Sequence, residues 1–138
     1  MRRITRNGLV MVVVAAAIFA AACGSGREQL KEIQRVRSGD MNVILLSQDG
    51  TLKRGKDSFV IEFQKPDGSL VDVGTVTTSA NMPMPGMTMG GSVRVDRSDV
   101  PGRYLATGDF GMVGGWQMKI TWNGPAGQGD VSFEENVQ

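Results

Sequence analysis

Apolar positions along this chain follow two regimes. From Leu9 to Ala22 the run is uncharged and almost wholly apolar. Past Gly39 they recur at alternate positions in short stretches punctuated by Gly, Pro and Asp, the pattern of half-buried strands joined by turns. The clearest stretch sets Trp116, Met118, Ile120 and Trp122 against Gln117, Lys119, Thr121 and Asn123. In Ser58–Gln64, Phe59, Ile61 and Phe63 share one face. Further strands are predicted at Met41–Ser47, from Leu70 to about Ala80, around Val93 and Val95, at Gly102–Thr107, and at Val131–Val137 with Val131 and Phe133 inward. Turns fall at Gln48-Asp49-Gly50, Pro66-Asp67-Gly68 and Gly124-Pro125-Ala126-Gly127.

Seven or eight short strands with no competing helical period predict an all-β fold, an immunoglobulin-like antiparallel β-sandwich. The segment Asp99–Ala106 is similar to the tyrosine corner of such sandwiches, with Ala106 where many of them keep a cysteine. Between the two regimes, residues 23–38 are polar, with Leu30, Ile33 and Val36 spaced by three. They predict a tether carrying at most a short helix, which leaves residues 39–138 as the domain.

The apolar run is short for a spanning helix, which needs roughly 20 residues. Arg2, Arg3 and Arg6 precede it and Ala20-Ala21-Ala22-Cys23-Gly24 closes it. That order is a signal peptide over residues 1–22 ending in a lipobox-like site, with Cys23 as the lipidated residue. An ordinary cleaved signal and an uncleaved anchor helix are the alternatives. Cys23 is the one cysteine of the chain, so no intramolecular disulfide is available. The expected location is the cell envelope, on the outer membrane or the outer face of the inner membrane, with the domain in the periplasm or outside the cell. Fifteen Lys and Arg face fourteen Asp and Glu. Without the three leader arginines the balance becomes −2, which offers no basic surface for nucleic acid.

The unusual chemistry lies in Asn81-Met82-Pro83-Met84-Pro85-Gly86-Met87-Thr88-Met89. The chain holds nine methionines in 138 residues, and four of them stand in this one segment. Pro85-Gly86 suits the centre of a type II turn. Met84 would then face Met87, Met82 would face Met89, and all four thioethers would share one side of a hairpin. Type II turns splay hairpins, and Pro83 restricts its strand to an edge or irregular role. Thioether sulfur is a soft donor suited to Cu(I) or Ag(I), and it has no proton to lose on binding. With no histidine anywhere and Cys23 blocked by lipid, a metal would fall to methionine. A plainer reading stands beside this one. Methionine fills irregular core gaps, and Met87, Met89, Gly91, Val93 and Val95 share a parity that points inward unless a bulge at Gly90-Gly91 reverses it. Trp116 reads as core. Acids such as Asp67, Asp96, Asp99 and Asp130 are scattered, and no nucleophile–base pair or phosphate loop is present, so no enzyme activity is expected.

Met82-Pro83-Met84-Pro85-Gly86-Met87, then Gly102-Arg103-Tyr104, then Met112-Val113-Gly114-Gly115-Trp116 stand in an ordered set, with Gly50, Leu52 and Gly55 upstream. In this order and spacing residues 43–137 resemble the YtkA-like/FixH-like family of small exported domains. The resemblance implies an immunoglobulin-like sandwich without enzyme activity and an association with copper or heavy-metal handling. It implies partners among heavy-metal efflux adaptors or oxidase assembly proteins. It matches Met82, Met84, Met87 and Met112 to motif methionines, and Met89 extends the set. Many members place a histidine near this segment and this chain has none, which argues against Cu(II). The expectation is a membrane-tethered module binding Cu(I) or Ag(I) through Met82, Met84, Met87, Met89 and Met112. The alternative is a lipoprotein that docks on an envelope complex without metal.

Overall fold

A computed structural model describes residues 29–138. The expected signal peptide and the lipidation residue Cys23 lie outside the described residues. Eight strands follow one another: β1 (Lys31–Ser38), β2 (Met41–Ser47), β3 (Gly55–Gln64), β4 (Thr75–Met84), β5 (Met87–Arg97), β6 (Arg103–Phe110), β7 (Gly114–Gly124) and β8 (Gly127–Val137). All pairings between strands are antiparallel, in the order β1-β2-β3-β6-β5-β4-β7-β8.

The sheet folds over at β5. Residues Met87–Gly91 pair with β4, whereas Ser92–Arg97 pair with β6. One layer is therefore β1-β2-β3-β6 with the second half of β5, and the other is the first half of β5 with β4-β7-β8. Apart from β1, this is the two-sheet connectivity of an immunoglobulin-like sandwich, with one strand serving both sheets. The alternating residues meet between the layers. Phe59, Ile61, Phe63, Trp116, Met118, Ile120, Trp122, Val131 and Phe133 are all buried there, as their periodicity predicts. Phe63 packs edge-on against Tyr104 and Trp122, with ring centroids 5.5 and 5.2 Å away, and Phe110 meets Trp116 at 5.4 Å. The outward side of β3 is covered too, because buried Glu62 accepts a hydrogen bond from Arg103 Nε at 2.8 Å.

The tether expected over residues 23–38 is corrected by β1. Lys31–Ser38 pair with β2 as a full strand of the sandwich, so the folded domain begins before Gly39. Gly39-Asp40 is the two-residue turn of a hairpin. Gly39 has φ +58°, as the first central position of a type II′ turn requires. The register skips at Ile33, a β-bulge, and that extra residue is why inward Ile33 and Val36 stand three apart instead of two.

The tyrosine-corner expectation is also corrected. Tyr104 opens β6, which pairs with β3 and β5, whereas the corner belongs on the strand of the opposite sheet. Its hydroxyl donates to the Gly74 carbonyl at 2.8 Å, thirty residues back, and so ties the two layers together.

Strand directions fix the two ends of the sandwich. β1, β3, β5 and β7 all start at the end where β4 finishes, so Lys31, Gly55, Met87 and Gly114 lie toward one end. The β1–β2, β3–β4, β5–β6 and β7–β8 connections lie toward the other.

Candidate functional site

The β4–β5 hairpin takes the register that its sequence predicts. Met82 pairs with Met89, Pro83 with Thr88 and Met84 with Met87. Pro85-Gly86 makes the two-residue turn, and Gly86 takes φ +78°, close to what the third position of a type II turn demands. β4 is not an edge strand, yet Pro83 is accommodated. The last β4 residue paired with β7 is Asn81, so the missing N–H of Pro83 deprives no partner there.

Opposed residues, and residues two apart, share a face, so Met82, Met84, Met87 and Met89 lie on one side of the hairpin. That side continues into the core, and no reversal occurs at Gly90-Gly91. Met89, Gly91, Val93 and Val95 keep their parity and are half-buried, while the strand between them changes neighbours. The four methionines therefore form a gradient. Met82 is buried in the core, Met84 and Met89 are half-buried against it, and Met87 at the turn is 61% exposed.

Met112 arrives from the β6–β7 connection and is 42% exposed. Its carbonyl accepts a hydrogen bond from Trp116 Nε1 at 3.0 Å, which pins the loop over the core. The loop closes on the hairpin. A Cβ on Gly111 would stand 3.7 Å from Met89 Sδ, and one on Gly114 would stand 2.6 Å from the Met82 methyl. Trp116 lies under the base of the hairpin, where a Cβ on Gly91 would come within 2.8 Å of its ring. Glycine at 91 and 114 is what permits this close packing. All five candidate residues thus lie toward one end of the sandwich, Met82 buried in the core, Met84 and Met89 half-buried, and Met87 and Met112 exposed.

No charged residue occurs from Gly74 to Val93 or from Phe110 to Met118. Among the described residues no group of three or more His, Cys, Asp or Glu gathers. The donors the hairpin and the Met112 loop offer are thioethers, the Asn81 amide, the Thr88 hydroxyl and backbone carbonyls. Depressions of about 570 and 530 Å3 lie elsewhere. The first is on the outer face of the β3–β6 layer beside Leu30 and Leu105, and the second is beside Tyr104.

The opposite end carries a polar cluster that sequence reading missed. Asp72 Oδ1 accepts from the Gly74 N–H at 2.9 Å and from Arg97 Nη2 at 2.6 Å, and stands 3.3 Å from the Tyr104 hydroxyl, whose one proton is aimed at the Gly74 carbonyl. The Gly74 N–H, with help from Arg97 and Tyr104, holds the Asp72 carboxyl below its usual range. Burial pushes the Tyr104 phenol up.

The sequence matches the YtkA-like family over residues 35–121. The chain belongs to the YtkA-like family. In this YtkA-like domain the matched span runs from within β1 to within β7 and takes in the hairpin methionines and Met112. No curated protein matches the chain. Among solved structures it is similar to the filamin domain of Lin-41, at 11% identity and a TM-score of 0.42, over 64% of this chain and 81% of that one.

Proposed function

We propose that this YtkA-like chain is a lipid-tethered module outside the cytoplasm that binds Cu(I) or Ag(I) at its methionine end. It would buffer the ion or hand it to an efflux or assembly partner, and it has no catalytic role. One observation carries the reading. Met84 faces Met87 and Met82 faces Met89 on one side of a single hairpin, with the Met112 loop closed against it. Thioethers are soft ligands and suit a monovalent soft ion. The exposure gradient sorts their roles. Met84, Met87, Met89 and Met112 are the ligand candidates, and Met82 supports them from the core. Because thioethers bind without losing a proton, affinity should stay level in mildly acidic buffer.

Titration of the mature chain against a Cu(I) chelator tests this. Leucine is close to methionine in volume, so Met→Leu changes keep the packing. Joint substitution of Met84, Met87, Met89 and Met112 by leucine should abolish competition with the chelator while the fold persists. Equal affinity in parent and variant would sink the metal reading. In that event the docking alternative gains, since Met87 and Val113, 61% and 56% exposed, offer an apolar contact at the same end.

A further inference from the structure

Of the exposed large apolar residues among those described, Leu105 (50%) lies on β6, and the other three, Met87 (61%), Met112 (42%) and Val113 (56%), all sit at one end of the sandwich. They occupy the β4–β5 turn and the β6–β7 connection, both within the charge-free segments. The turn projects. Met87 lies four residues beyond Gly91, about 13 Å at roughly 3.3 Å per residue, past the point where β5 leaves β4. β1 begins toward this same end, so the chain traced back from Lys31 leaves in the direction of the tip.

We infer that this tip rests against the lipid surface to which the chain is tethered, with Met87, Met112 and Val113 at the level of the headgroups and outer acyl chains. The inference rests on lipid attachment at Cys23, part of the reading above, but not on metal binding. Length decides the orientation. Cys23 and Lys31 are eight residue steps apart, at most about 29 Å fully extended. To bring the opposite end to the membrane, this stretch would have to double back along all eight residues of β1, about 26 Å. Almost no slack would remain, and a chain held that straight loses most of its conformational freedom. Presenting the methionine end needs no reversal. Apolar side chains gain by leaving water at the interface, and these three have no other cover among the described residues.

Site-directed spin labelling of the full-length, lipid-modified chain tests the orientation. Cys23 is alkylated by its lipid and does not react, so Val113→Cys and Ala126→Cys each place one nitroxide, on the tip and on the β7–β8 turn at the far end. The labelled chains are reconstituted into vesicles of phosphatidylethanolamine and phosphatidylglycerol, and mass measurement reports the lipid on Cys23. The label at 113 should collide more often with oxygen than with a water-soluble nickel complex, and the label at 126 should do the reverse. Adding Met87→Glu and Met112→Glu should return the label at 113 to the nickel accessibility seen at 126. Both substitutions fall at exposed positions and leave the core intact. Equal nickel access at 113 and 126 overturns the inference. Shielding of 113 from both reagents, the signature of a protein contact, also overturns it. So does a chain that carries no lipid and stays off the vesicles. Chelator titration of the two singly labelled chains, which keep Met87 and Met112, reads the metal separately from the membrane contact, so loss of one property is distinguishable from loss of the other.

Discussion

The two ends of this sandwich are closed by different forces. Around Tyr104 the closure is directional. The phenol hydroxyl reaches the Gly74 carbonyl at 2.8 Å, Asp72 gathers the Gly74 N–H and Arg97, and the Phe63 N–H donates to the Gly102 carbonyl at 3.0 Å. Phe63, Tyr104 and Trp122 interlock beneath. Around Met87 the closure is soft. Unbranched side chains lie against glycines, and one side-chain hydrogen bond, from Trp116 to Met112, fixes the loop. The first arrangement specifies a single geometry. The second can shift a sulfur by rotating a χ angle, at little cost in packing. The Tyr104 cluster is thus fixed by directional bonds, whereas the methionine hairpin and the Met112 loop are left adaptable.

This contrast can be broken by substitution. Phe63→Ala removes a fully buried ring from the interlocked end and should cost about 3–5 kcal/mol in denaturant unfolding. Met87→Leu at the other end should stay within about 0.5 kcal/mol, because the residue is exposed. Comparable losses at the two positions would show that both ends bear the fold equally. Tyr104→Phe keeps the ring and deletes the hydroxyl, leaving the Gly74 carbonyl without that donor, and should cost about 1–2 kcal/mol. The smallest effect is in pH dependence. Asp72 titrates below its ordinary value of 3.8 in the folded state, so the stability it lends is complete above that value and is lost as pH falls through the depressed one. Glu135 has the opposite sign. Burial raises its carboxyl above 4.5, so its contribution is present below 4.5 and is lost as pH rises through the raised value. Comparing the acid limbs of parent and Asp72→Asn isolates the first term. The parent should lose more stability than the variant on acidification below 3.8, and parallel limbs would remove Asp72 from the account.

What could be read from sequence was local. Trp116 to Trp122 alternate without interruption, and every inward member is buried. The hairpin register followed from Pro85-Gly86, because a two-residue turn leaves one pairing open to its flanks. β1 escaped because the bulge at Ile33 broke the period of two. Gly39-Asp40 was the signal that could have recovered it, as a turn with an apolar strand on its far side. The Tyr104 cluster escaped because its members lie 25 to 32 residues apart and meet only through the folding of one layer on the other. The exposure gradient among the methionines was likewise invisible, since a shared face does not say where along it the core stops.

The strand that serves both layers has a further consequence. With β5 continuous from one layer to the other, the sheet has two free edges, β1 and β8, and these come together. β1 lies against β8, and the Gln34 amide, turned with its nitrogen toward β8, donates to the Glu134 carbonyl and the Glu135 carboxylate. An open strand edge invites pairing with the same edge of another copy, a hazard for a protein held crowded on a surface. Here each edge screens the other, and the bulge at Ile33 spoils the regularity that a neighbouring strand would need. Deleting β1 would expose β2 as a regular edge, and the first sign of that loss should be self-association.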